Sequence, residues 1–125
     1  LKYLNQWNSR RGAIAAKYRE ALDGCDLILP LVPEWADPAW HLYVVRHPQR
    51  CQLQQRLTEL GVGTLIHYPI PPHMQMAYRS FGFAANAFPC ARRLADEVLS
   101  LPIGPHLDAT QVMQVIEGVE KALRA

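Results

Sequence analysis

The chain has 125 residues, 50% of them apolar and 19% charged, a balance that fits one soluble globular domain or one lobe of a larger enzyme and excludes a disordered tail or a collagen-like chain. The 13 Lys and Arg against 11 Asp and Glu leave a net charge of +2, and no basic run exceeds Arg10-Arg11 and Arg92-Arg93, so nothing argues for nucleic acid. Apolar stretches such as Leu27 to Val32 and Leu42 to Val45 stop well short of the roughly 20 residues a membrane span needs, which argues against a membrane protein.

From Leu4 through Trp7, Ile14, Tyr18 and Leu22, large apolar residues recur at helical spacings, and Gly24 provides a stop. No capping residue opens this helix, so it is expected to begin upstream of Leu1, where no secretory leader is visible and the start reads as a cut. Asp26 to Val32 reads as a short strand or extended segment, with Pro30 and Pro33 confining it to an edge or a bend. After the loop Glu34 to Pro38, His41 to Arg46 (HLYVVR) is a stronger strand, because aromatic and β-branched residues suit a half-buried pleat.

Pro48 fits the first turn of the next helix, whose buried face is Leu53, Leu57 and Leu60 and whose stop is Gly61. Gly63 to Tyr68 (GTLIHY) returns as a strand. A helix from Phe88 to Glu97, a strand Val98 to Leu101 and a loop Pro102 to Leu107 follow. In the last helix Asp108 and Gln111 make a capping box, Leu107 and Val112 stand at the staple positions, and Val112, Val115, Ile116, Val119 and Leu123 form the buried stripe. The fold class expected is α+β, one compact domain with a small, mainly antiparallel sheet covered by helices.

The stretch that concentrates polar chemistry is His67 to Tyr78, HYPIPPHMQMAY, a loop stiffened by Pro69, Pro71 and Pro72 directly after a predicted strand. Proline removes ordering entropy from the unfolded chain, which suits recognition. Taken by themselves, His and Tyr at the end of a strand are more often hydrogen-bonded surface groups than catalysts. His67, His73 and His106 lack metal-ligand spacing. Cys25, Cys51 and Cys90 are odd in number, without a C-x-x-C, so reduced thiols and a cytoplasmic location are expected.

Ser9, Ser80 and Ser100 lie in no G-x-S-x-G turn. Cys90, at the start of a predicted helix, is expected to pack beside Leu94 rather than to act as a lowered-pKa thiol. Gly61 and Gly63 precede a strand and so do not cradle phosphate. Of Arg46, Arg79, Arg92 and Arg93, Arg79 is the first candidate for an anionic ligand because it adjoins the loop. Met74 and Met76 are expected to pack the loop onto the domain.

The order HLYVVR, R-x-x-L-x-x-x-L-x-x-x-G-V, GTLIHYPIPPHMQMAY, FP-x-A-x-x-L-A, LSLPIGPHL and a terminal amphipathic helix resembles the C-terminal part of the nucleotide-sugar aminotransferases of the DegT/StrS type. The resemblance runs nearly end to end. It is closest to enzymes that aminate a keto-deoxysugar carried on dTDP or UDP, and the HYPIPPH form is similar to the branch acting on 3-keto sugars.

The resemblance implies a parent enzyme of the fold-type I class, in which pyridoxal 5'-phosphate, bound to a lysine of a large N-terminal domain, takes an amino group from glutamate and gives it to the sugar ketone. It implies a homodimer with active sites at the subunit boundary, residues 1–24 as an inter-domain helix and residues 25–125 as an α/β body. It assigns substrate contacts to His67, Tyr68, His73, Gln75 and Tyr78, with no catalytic, cofactor-binding or metal-binding residue in this chain.

Schiff-base chemistry needs a lysine amine beside the cofactor ring. Only Lys2, Lys17 and Lys121 exist here, each on a predicted amphipathic helix and none in the family's serine-containing lysine motif, so the chain alone is expected to be inactive and to bind no cofactor. The other reading is a stand-alone, non-catalytic binding or interaction module derived from that domain. Apolar surface around the first helix, where Trp7 and Tyr18 need cover, favours the first reading, and polar residues there favour the second.

Overall fold

In the computed structural model, which describes residues 1–124, the regular elements are α1 (Leu4–Leu22), β1 (Tyr43–Arg46), α2 (Arg50–Glu59), two 3₁₀ segments (Pro72–Met74 and Met76–Phe81), α3 (Pro89–Glu97), β2 (Val98–Leu101) and α4 (Ala109–Arg124). β1 and β2 pair antiparallel, with Tyr43 opposite Leu101 and Arg46 opposite Val98. Helices cover this small sheet, and the class is α+β as expected.

Of the two flanking segments, Asp26 to Val32 takes the extended alternative at the sheet edge, and Gly63 to Tyr68, expected as a strand, does not become one. Ile28 makes a single bridge to Arg46 of β1, and Leu65 a single bridge to Ser100 of β2. Rung chemistry accounts for both single bridges. Ile28 and Arg46 exchange two backbone hydrogen bonds, so the next such rungs would join residues 26 with 48 and 30 with 44, where Pro48 and Pro30 have no N–H to give. Leu65 and Ser100 likewise exchange two bonds. Their next rungs would need the N–H of residue 102, a proline, and that of Val98, which already donates to the Leu94 carbonyl at the end of α3.

α2 starts at Arg50, with Pro48 left in the preceding turn. Its end corrects the expected stripe, because Leu60 is the C-cap and stands 46% exposed. Gly61 takes φ +78°, the Gly61 N–H donates to the Thr58 carbonyl and the Val62 N–H to the Leu57 carbonyl, a Schellman closure. Val62 is thereby folded back beside Leu57, and both are buried. On α4 the capping box forms with both bonds in place, Asp108 N–H to Gln111 Oε1 at 3.0 Å and Gln111 N–H to Asp108 Oδ1 at 2.8 Å. Caps of this kind contribute roughly 0.5–2 kcal/mol.

α4 packs on both α1 and α2. Its buried face holds Val112, Val115, Ile116 and Val119 as expected, joined by Gly118 and Ala122, while Leu123 is half-buried. A Cβ at Gly118 would meet Val62 at 2.7 Å, so the absent side chain is what lets α4 approach the end of α2. From α1, Ile14, Ala15, Tyr18 and Leu22 are buried in the core and Ala21 packs against it. Tyr18 is fully covered and donates to the Pro102 carbonyl at 2.7 Å. Tyr3, Leu4 and Trp7, at the other end of α1, remain exposed.

Candidate functional site

The segment after the Leu65 bridge turns away from the sheet and is held against α3. Pro71 is buried, Gln75 Nε2 donates to the Ile70 carbonyl at 3.3 Å, and Arg92 of α3 reaches the Met74 sulfur at 3.5 Å. The prolines and this internal bracing fix a loop whose own surface stays open.

The five candidate residues divide between two pockets. His67, Tyr68 and Gln75 line one of about 310 Å³ together with Ile70, Leu94 and Val98. His73 and Tyr78 line another of about 480 Å³ with Phe81, Phe83 and Phe88. Pro72 and Ala91 belong to both linings. The two pockets therefore share a wall, and the loop faces clefts rather than the core.

In the first pocket, His67 is half-buried and its Nδ1 lies 2.9 Å from Ser100 Oγ. Tyr68 is 72% exposed, with its ring edge-on to the imidazole at 5.5 Å. In the second, His73 Nε2 lies 3.1 Å from the Ala85 carbonyl. A carbonyl only accepts, so that nitrogen carries the proton. The His73 ring meets Phe88 edge-on at 5.0 Å. Phe81 stacks on Phe83 at 6.0 Å, and Phe83 meets Phe88 at 5.3 Å.

Phe81 and Phe83 were not among the expected site residues. The signal available for them is the run Tyr78, Phe81, Phe83, Phe88 at the end of the polar loop and just after it, four aromatic residues within eleven positions and without a regular period. Two packing expectations fail here: Cys90 is exposed rather than packed beside Leu94, and Met76 is 87% exposed. Both sit on the outer side of a short element, where no second layer covers them.

Among the described residues, no three His, Cys, Asp or Glu come together as metal ligands. Arg46 and Arg92 are engaged, with Glu97 at 2.7 Å and Asp96 at 3.0 Å respectively, whereas Arg79 is exposed and has no acidic partner among the described residues. The arrangement offers hydrogen-bonding groups at one opening and a mainly aromatic wall, with His73 and Tyr78 among its residues, at the other. It suits holding a ligand with oxygen acceptors and a flat or apolar part.

None of the three lysines fits a cofactor at either pocket. Lys121 pairs with Glu117 on α4 at 3.9 Å, Lys2 lies over the Tyr3 ring, and Lys17 is on the exposed side of α1.

Residues 1–120 match the DegT/DnrJ/EryC1/StrS aminotransferase family. The chain is 49% identical, over 93% of its length, to the erythromycin biosynthesis sensory transduction protein EryC1 of Saccharopolyspora erythraea. It is 43% identical, over 97% of its length, to the dTDP-3-amino-3,4,6-trideoxy-alpha-D-glucose transaminase of Streptomyces venezuelae. In each case it spans 32% of the relative. The crystal structure of Streptomyces venezuelae DesV in complex with a ketimine intermediate superposes over 100% of this chain and 34% of that one, with a TM-score of 0.95 and 42% identity.

Proposed function

Because this chain belongs to the DegT/DnrJ/EryC1/StrS aminotransferase family, we propose that it is the smaller, C-terminal part of a pyridoxal-phosphate enzyme that moves an amino group from glutamate to a nucleotide-linked keto-deoxysugar. In this reading residues 1–24 are the connecting helix and residues 25–125 the body that walls the substrate side of the active site. A large N-terminal domain supplies the lysine and the cofactor site, and the enzyme works as a homodimer in the cytoplasm.

One observation carries the reading: a transaminase of a dTDP-linked 3-amino sugar is 43% identical over nearly the whole chain, while the chain spans a third of it. The exposed loop adds to it. His67, Tyr68, His73, Gln75 and Tyr78 act as substrate contacts, the imidazoles, phenols and amide meeting sugar hydroxyl or diphosphate oxygens. The aromatic wall of Phe81, Phe83 and Phe88 keeps water from that side. Tyr3, Leu4 and Trp7 left open on α1 favour a piece of a larger enzyme over a self-standing module, which would carry polar residues there.

The residues present do not hold the cofactor, so no chemical step is assigned to them. The 125-residue chain alone is expected neither to turn over glutamate with a keto sugar nor to become labelled by pyridoxal phosphate and borohydride. Either event would overturn this part of the reading. In the whole parent enzyme, His73→Ala is expected to raise the KM for the sugar nucleotide roughly tenfold and to change kcat less than about threefold, the pattern of lost binding. An unchanged KM would remove His73 from the substrate contacts.

A further inference from the structure

Ser100 is buried within β2, between β1 on one side and the Leu65 bridge on the other. Its backbone N–H and carbonyl are both taken by Leu65, at 2.7 and 3.3 Å, and it stands opposite Val44 of β1. Neither its position nor its direction has much freedom. Two residues beyond Leu65, the His67 imidazole comes within 2.9 Å of the Ser100 hydroxyl, through Nδ1. Ser100 is 5% exposed, and among the described residues its side chain has no other hydrogen-bond partner.

The direction of that bond follows from what each group can give. If His67 donated from Nδ1, the Ser100 hydroxyl would be left with a proton and no acceptor, in a place closed to water. A buried donor left unmade costs about 1–3 kcal/mol, whereas a hydroxyl that donates to an unprotonated Nδ1 is satisfied at no such cost. The proton of the neutral ring then sits on Nε2. That nitrogen has no partner among the described residues and is not one of the fully buried unpaired atoms, Arg11 Nε, Tyr43 Oη and Arg50 Nε, so it keeps some exposed surface, on a half-buried residue that lines the pocket of about 310 Å³.

We propose that Ser100 is a positioning residue that holds His67 in its Nε2–H form, so that His67 acts as a hydrogen-bond donor and selects an oxygen acceptor on the bound ligand. The inference rests on the reading of His67 as a substrate contact and sharpens it. A ring fixed in this form recognises a sugar hydroxyl or a phosphate oxygen and rejects a group that only donates, such as an ammonium. Ser100 touches no substrate, and its effect passes entirely through the imidazole.

The test has two arms. In the 125-residue chain, ring-nitrogen NMR of the neutral His67 ring should show Nδ1 unprotonated and Nε2 protonated. Ser100→Ala should shift the ratio of the two forms toward Nδ1–H about fivefold, the worth of one hydrogen bond, while Ser100→Thr, which keeps the hydroxyl, should not. A protonated Nδ1 in the unsubstituted chain, or a ratio that ignores S100A, overturns the role of Ser100, and the first of these needs no variant to fold.

In the whole parent enzyme, with a dTDP-linked 3-keto-deoxysugar as the probe substrate, S100A should raise KM about fivefold and leave kcat within twofold, with S100T restoring KM. A tautomer shift with an unchanged KM overturns the reading of His67 as a substrate contact while leaving the Ser100 lock standing. An unchanged tautomer with a raised KM does the reverse.

Discussion

Leu57→Ala is expected to lower the stability of the chain by roughly 3 kcal/mol, within the range measured for emptied Leu sites in cores. Leu57 has no exposed surface. It sits at the end of α2 where three features meet: the Schellman closure through its own carbonyl, the side chain of Val62 folded back over the helix end, and the close approach of α4 at Gly118. Collapse into the void is hindered, because α4 already touches Val62 through a glycine and Val62 is anchored by its backbone bond. For a chain of this size a loss of 3 kcal/mol corresponds to a fall in Tm on the order of 10 °C. Thermal unfolding by circular dichroism measures it, and a drop of only a degree or two would mean that the α2–α4 seam repacks freely.

The second large effect is alkaline. Tyr18 and Tyr43 are buried edge to face, 5.2 Å apart, and burial pushes both phenols above their ordinary range; at Tyr18 the neighbouring Tyr43 adds to the rise, and at Tyr43 the Arg19 guanidinium partly offsets it. The folded chain thus keeps protons that the unfolded chain gives up near pH 10. Below that pH both states are neutral and the stability is fully present. Above it the unfolded state gains by ionising, so stability falls with rising pH until the folded phenols titrate, by roughly 1.4 kcal/mol per tyrosine for each pH unit.

Urea unfolding at pH 9, 10 and 11 should therefore give a falling midpoint. Tyr18→Phe separates this from general alkaline damage. It loses the bond to the Pro102 carbonyl and should start about 1 kcal/mol lower at neutral pH, yet fall less steeply above pH 10. Equal slopes for the two proteins would contradict the assignment to Tyr18.

The helices and the β2 strand were legible because each is written by local rules. α1 ends at Leu22 before Gly24, β2 covers Val98–Leu101 just ahead of Pro102, and α4 starts behind the Asp108–Gln111 box, each bounded by a stop or a cap within a few residues. Asp26 to Val32 takes the extended, edge-bound course that Pro30 and Pro33 imply, whereas Gly63 to Tyr68 reads as a strand by composition and makes only one rung. Pro30, Pro48 and Pro102 were visible, but which residues they would face depends on the register, and register is a property of the folded pair.

The same limit applies to the site. The loop His67 to Tyr78 stood out as polar, stiff and singular, and the structure keeps it at open pockets. That its five candidates split three and two across a shared wall, and that Ser100, 33 positions away in the chain, meets His67, follow from the path of the chain between Leu65 and β2. Spacing along the sequence carries no trace of such a meeting. Leu60 gave way to Val62 for a related reason, since a helical stripe cannot foresee the turn that ends the helix.

The single-rung bridges at Ile28 and Leu65 reach beyond the fold itself. A sheet bordered by ladders that stop after one rung presents no long, regular row of free amides and carbonyls for a second chain to zip onto. Whatever sticking this chain does through its bare aromatics is therefore expected to be a matter of side chains, reversible and amorphous in character, rather than the growth of ordered fibrils from a naked margin.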